Sequence, residues 1–219
     1  LDHGMTRINV KIKAGQETEL NGAGPDIPES AMQALEEKLD RLQKGDILIL
    51  AGSIPASLAQ TTYERILARL EGRDIRAVVD ATRDLLVNVL RYKPFLIKPN
   101  NHELSEIAGV KLTNDNEIVT AARMMQAKGA RNVLVSMAGD GALLLDEQGG
   151  VHRIGCPKGK VVNSVGAGDS MVAGFVAGYQ QSGGDYAAAL KLGTACGSAT
   201  AFSLGLATKA DIDKLLKTM

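Results

Sequence analysis

The chain has 219 residues, 45% of them hydrophobic and 23% charged, with 24 glycines and no tryptophan, a balance that fits one soluble α/β domain or two small ones and permits a sizeable core. Lysine plus arginine and aspartate plus glutamate each number 25, so the formal charge is zero; no overall field favours nucleic acid or an anionic membrane, and any anion must be held locally. Cys156 and Cys196 show no disulfide framework, which suits a reducing cytoplasm, and the scattered His3, His102 and His152 lack the spacing of a structural zinc site.

The chain opens LDHGMTRINV, without an initiator methionine and directly ahead of a strand pattern. A fragment lacking an N-terminal part is therefore expected. No basic and apolar leader is seen, and the longest uncharged apolar run, near 167–182, is too short to span a bilayer. From Thr6 to Lys13 the residues alternate, with Ile8, Val10 and Ile12 to one side and Arg7, Asn9, Lys11 and Lys13 to the other; a second alternation covers Glu17 to Leu20. That predicts a half-exposed antiparallel pair. After the loop NGAGPDIPES the spacing predicts a helix over 29–43 that buries Ala31, Leu35, Leu39 and Leu42, so a change of layer is placed near residue 25.

Units then repeat: strand DILILAG, helix LAQTTYERILARLEG, strand IRAVVDA, helix RDLLVNVLRY, strand FLIKPN, helices HELSEIAG and NEIVTAARMMQAKG, and strand NVLVSM. Apolar strands separated by amphipathic helices predict a parallel sheet covered on both faces. ALLLD and VHRIG read as a short antiparallel appendage, and three helices close the chain at 167–182, 185–203 and 209–217. Ligands of such sheets bind beyond the carboxyl ends of the strands. The residues standing there are Gly52-Ser53, Asp80, Lys98-Pro99-Asn100, Ser136 to Gly141, and the stretch NSVGAGDSMVAG at 163–174.

In that last stretch Gly166, Ala167 and Gly168 allow close approach to a helix N-terminus, where free amides and the macrodipole favour an anion. A dinucleotide fingerprint is excluded because Met171 stands where its third glycine belongs, and GCPKGKVV fails as a Walker loop by its glycine spacing and by Val161 in place of the hydroxyl. Asp169 is open to three readings: a cap of the first turn, part of a tight glycine turn, or a base beside an anion. Gly174 and Gly178 read as close helix packing. Asn100 and Glu103 have the spacing of a capping box, Lys98 could balance phosphate or simply snorkel, Ser136 to Gly141 could be an ordinary hairpin loop, and Arg7 an edge-strand charge.

NSVGAGDSMVAGFV resembles the second signature of the ribokinase-like sugar kinases, the family that includes the phosphofructokinases of type B. The resemblance implies a three-layer α/β/α fold with a mostly parallel sheet and a small β lid, residues 1–24 being the lid remnant and 25–219 the nucleotide-binding and catalytic core. It further implies ATP as donor, Mg2+, and Asp169 as the base for the acceptor hydroxyl, with the amides of Gly166, Ala167 and Gly168 as the anion hole. By the same resemblance Asn100 and Glu103 organise water and magnesium. Ser136, Met137, Ala138, Gly139, Asp140 and Gly141 border the nucleotide with Gly168 and Lys98, and Ser53 in GSIPAS lies beside the acceptor pocket.

TRINVKIK followed by ETELNGAGP resembles the lid of the family's fructose 1-phosphate kinases, which implies that Arg7 meets the phosphate already on the sugar. Tagatose-6-phosphate kinases share the architecture and remain an alternative, as does a truncated binding protein without turnover. The lid also implies a possible homodimer. Family members carry further strands, a helix, and an acid that grips sugar hydroxyls before the lid; nothing in this sequence corresponds to them.

Overall fold

The computed structural model describes residues 4–14 and 16–219, and the side chains of all of these except residues 13, 14, 16 and 17. The expectations for His3 and for the facing of Lys13 and Glu17 lie outside these described residues. Strands β1 (Asn9–Ala14) and β2 (Gln16–Asn21) pair antiparallel as a ribbon, with Val10 opposite Leu20 and Lys11 opposite Glu19. The ribbon was expected to bury one side, yet Ile8 is 60% exposed, Val10 46%, Ile12 43% and Leu20 57%. The alternation is there, but no layer of the described residues covers its apolar side.

The body is a six-stranded sheet in the order β3 (Ile47–Ala51), β4 (Arg76–Asp80), β5 (Leu96–Ile97), β6 (Asn132–Ser136), β7 (Ala142–Leu145) and β8 (Val151–Ile154). The first four are parallel and the last two antiparallel. Rather than an appendage, β7 is core: all four of its residues are buried and it extends the main sheet. Period-two alternation divides each strand between two helical layers. Ala77, Val79, Ile97, Val133, Leu143 and Leu145 face α2 (Thr62–Arg69), α3 (Arg83–Val87), α4 (Asn101–Ala108) and α5 (Asp115–Ala127). Val78, Leu96, Leu134, Ala142 and Leu144 face α6 (Ala167–Gln181) and α7 (Tyr186–Ala201), against which α8 (Lys209–Leu216) packs. The sheet is thus sandwiched as its apolar strands require.

Helix α1 (Glu29–Leu39) buries Met32 and Leu39, whereas Leu35, expected in the core, is 38% exposed. It lines an open groove of about 350 Å³ with Ile27, Met32, Ile49, Ile54 and Leu58, along the outer edge of β3. Among the described residues β3 has no further neighbour on that side to carry a second layer over that row. Helix α1 is fastened instead by Arg65 and Arg69 of α2, which bridge to Glu29, Glu36 and Asp40.

The glycines of α6 and α7 bring those two helices into backbone contact. A methyl group on Gly174 would stand 2.6 Å from Cys196 Sγ, one on Gly178 2.9 Å from Ala189 Cα, and one on Gly197 2.9 Å from the carbonyl of Ala167. The packing reading of Gly174 and Gly178 therefore holds. Tight docking on α7 fixes where the N-terminus of α6 points. Among the described residues no helix is long and apolar enough to cross a membrane.

Candidate active site

The carboxyl ends of β3 to β6 form one row. Gly52, just past β3, donates its amide to the carbonyl of Asp80 at the end of β4 (3.0 Å); Lys98, just past β5, donates to Val79 O (3.3 Å); and Ser136 at the end of β6 donates to Pro99 O (3.2 Å), leaving Asn100 bridged to Ser136. Parallel pairing alone therefore brings four of the sequence segments side by side.

Asn100 is the N-cap of α4 and forms the expected capping box: its Oδ1 accepts from Glu103 N (2.9 Å), and Glu103 Oε2 accepts from Asn100 N (2.7 Å). Both side chains are thereby held in place, with Glu103 Oε1 meeting no donor among the described residues. No cluster of three or more His, Cys, Asp or Glu able to hold a metal occurs among the described residues. Hard oxygen donors of this number suit a magnesium ion that keeps most of its own waters, not one caged by protein.

Gly166 is the N-cap of α6, with φ +79°, a left-handed conformation that side chains rarely adopt. Upstream, Asn163 folds the turn by accepting from Val165 N (3.3 Å) and donating to Leu204 O (3.0 Å). The amide of Ala167, one of the expected donor triplet, donates to Ser164 O at 3.2 Å. The amides of Gly166, Gly168 and Asp169 meet no acceptor among the described residues. Asp169 occupies the third helical position but makes no capping bond, and its carboxylate is exposed and unpartnered among those residues. That removes the hydrogen-bonded cap from its three readings and leaves a dipole-favoured carboxylate open to solvent.

Lys98 joins this terminus to the strand row. It is 6% exposed, its Nζ lies 3.2 Å from Asp80 Oδ1, and a methyl group on Gly168 would stand 3.3 Å from that Nζ. The snorkelling reading fails because the ammonium is buried. Burial pushes the Asp80 carboxyl above its ordinary range, Lys98 opposes the shift, and the charges of Asp169 and Glu103 add to it. These three acids and one lysine thus share a field. Asp80 was among the strand-end residues but had no role assigned; an acid closing the apolar strand IRAVVDA is the signal it carried.

From Ser136 the chain turns through Met137 and a 3₁₀ turn at Ala138–Asp140, closed by Met137 N to Gly141 O at 2.8 Å. Ala138, Gly139 and Asp140 are exposed, and Gly141 has φ +90° against the backbone of β8. The loop stands next to Asn100 through Ser136, with no hydrogen bond to Lys98 or Asp169 among the described residues. On the other side, Arg7, just ahead of the β1–β2 ribbon, reaches Ser53, Nη1 to Oγ 3.1 Å, while its Nε donates to Asn9 Oδ1 at 3.0 Å. Ser53 also lines the groove beside β3. No hydrogen bond or ion pair among the described residues links this pair directly to Asp169.

The sequence profile described as pfkB family carbohydrate kinase matches residues 2–213. A 1-phosphofructokinase of Bacillus subtilis is 48% identical over 213 residues, 97% of this chain and 70% of the relative. A D-tagatose-1-phosphate kinase of Bacillus licheniformis is 36% identical over 98% of this chain and 69% of its own length. Among solved structures, phosphofructokinase-2 from Escherichia coli in complex with fructose-6-phosphate superposes with a TM-score of 0.84 at 26% identity, covering 97% of this chain and 69% of that one.

Proposed function

Because the chain belongs to the pfkB family of carbohydrate kinases, we propose that it transfers the γ-phosphoryl group of ATP to the 6-hydroxyl of fructose 1-phosphate, giving fructose 1,6-bisphosphate and ADP. Asp169 takes the proton of the attacking hydroxyl. The bond from sugar oxygen to phosphorus forms as the bond from phosphorus to the β,γ-bridging oxygen breaks. Charge that builds on the transferring group is met by the amides of Gly166, Gly168 and Asp169 and by Lys98. The loop from Ser136 to Gly141 borders the nucleotide, and Arg7, with Ser53, receives the phosphate already on the acceptor. Magnesium, when bound, would neutralise phosphate charge, with Asn100 and Glu103 holding its waters.

The observation that carries this reading is the pairing, at the first turn of α6, of an open Asp169 carboxylate with amides, neither of which meets a partner among the described residues. The test is a coupled ATP assay of the intact gene product against fructose 1-phosphate, tagatose 1-phosphate, tagatose 6-phosphate and fructose 6-phosphate, with Asp169→Asn beside it. Fructose 1-phosphate should be preferred, and the variant should lose about 100-fold or more in turnover; unchanged turnover would sink the assignment.

A second acceptor is favoured by the similarity to a tagatose 1-phosphate kinase. That sugar differs from fructose 1-phosphate only in configuration at C4, so Arg7 would serve the same phosphate. It stands beside tagatose 6-phosphate as an alternative acceptor. The uncovered apolar side of the lid, Ile8, Val10, Ile12 and Leu20, supports pairing of two lids in a homodimer.

A further inference from the structure

We propose that Asp80 is a positioning residue that clamps the Lys98 ammonium at the foot of α6, aimed at the phosphoryl group transferred there. The proposal rests on the kinase reading above. Asp80 ends β4 and Lys98 follows β5, its neighbour in the sheet, so the clamp is built from two adjacent strand ends. Both side chains are largely removed from water, at 18% and 7% exposed. The ammonium carries three donors, yet among the described residues it meets one acceptor, Asp80 Oδ1 at 3.2 Å. Buried donors are rarely left unfilled, and the unused ones lie at the same helix terminus as the free amides of Gly168 and Asp169. Gly168 makes this possible, since any larger residue would press on Lys98.

A pair serving stability alone has a weak rationale, because a buried ion pair contributes little beyond what apolar side chains of the same size provide. A four-carbon stem without its anchor samples several rotamers, whereas phosphoryl transfer rewards one fixed cation. Asp80 thus acts through Lys98 and does not itself touch the substrate.

The test uses the intact gene product, with steady-state kinetics, calorimetric affinity for a non-hydrolysable ATP analogue, and thermal unfolding. Lys98→Met should lower kcat about 100-fold, and Asp80→Asn about 10-fold or more through misplacement of the ammonium. Affinity of Asp80→Asn for the analogue should hold or tighten, because one negative charge near the phosphates is gone. In the double variant kcat should match Lys98→Met within about twofold, since both changes remove one interaction. Asp80→Glu keeps the charge pair, and with it folding, but shifts the ammonium; it too should lower kcat about 10-fold.

Multiplying losses in the double variant would overturn the proposal, as would Asp80→Asn or Asp80→Glu with full kcat and only a lowered melting temperature. Full activity of Lys98→Met beside an inactive Asp169→Asn would defeat this clamp alone. Full activity of Asp169→Asn would defeat the site reading on which it stands.

Discussion

Arg7 donates from Nη1 to the Ser53 hydroxyl at 3.1 Å, a bond between residues 46 positions apart that ties the lid ribbon to the loop after β3. The guanidinium is already oriented by Asn9, and its fork matches a phosphate in a way an ammonium cannot. Arg7→Lys should therefore raise the KM for the sugar phosphate by about 10-fold and Arg7→Ala by about 10- to 100-fold, the range for hydrogen bonds to charged groups. The KM for ATP should not move. Initial rates with each substrate varied in turn check this, and a shift confined to ATP would place Arg7 elsewhere.

The lid makes a separate prediction about assembly. Val10 and Leu20 face each other across the ladder, 46% and 57% exposed. Burying each in a second lid contributes about 1.5–3 kcal/mol, so Val10→Lys should weaken self-association by at least about 10-fold. Sedimentation velocity over a range of concentrations reads this directly. A wild-type protein that stays monomeric at every concentration rules out lid pairing.

A third prediction concerns acid stability. Asp146 closes the turn between β7 and β8, accepting from Gln148 N at 2.8 Å and Gly150 N at 2.9 Å, with His152 Nε2 2.7 Å away. Burial pushes its carboxyl up, but the bonds from His152, Gly150 and Gln148 outweigh it and hold the group below the ordinary range. A carboxyl depressed in the folded state stabilises the fold above its unfolded value, about 3.9, and loses that contribution as the pH falls through the lower folded value. Asp146→Asn should cost about 1–3 kcal/mol at neutral pH by leaving buried donors poorly met. The gap from wild type should then narrow below about pH 4, as followed by urea unfolding between about pH 7 and about pH 3. A gap that stays constant would show that the charge is irrelevant there.

What could be read in the sequence follows from the range of each interaction. The capping box links Asn100 to Glu103, three positions on, and the apolar run that forms β4 covers five residues, Arg76–Asp80, so a local pattern was enough for both. The contact of Arg7 with Ser53 depends on how the lid folds over the body, and only the resemblance suggested placing both near an acceptor. The clamp of Asp80 on Lys98 depends on strand register and on the docking of α6, neither of which leaves a local pattern. Leu35 shows the converse. Its helical spacing was read correctly, but its burial requires a layer beyond β3, and amphipathic periodicity reports a face without reporting what covers it. The bond from the Ala167 amide to Ser164 O is of the same kind, since a turn bond leaves no trace in composition.

Gly168 and Gly174 lie on one helix six residues apart, and the fold assigns them opposite consequences on substitution. A methyl group on Gly174 would be 2.6 Å from Cys196 Sγ and 2.9 Å from Leu192 O, and overpacking of this kind costs about 1–3 kcal/mol. Gly174→Ala should therefore lower the melting temperature with turnover per folded molecule unchanged. At Gly168 the new methyl meets only Lys98, at 3.3 Å from Nζ and 3.5 Å from Cε, while alanine gains about 1 kcal/mol of helix propensity over glycine. Gly168→Ala should thus be as stable as wild type or more so. Its kcat should nevertheless fall about 10-fold or more if the terminus is the proposed transfer site, because the methyl would displace the ammonium from it. Paired measurements of melting temperature and kcat on the two variants separate the roles. A Gly168→Ala enzyme with full turnover would mean that the glycine is there for some reason other than room for Lys98.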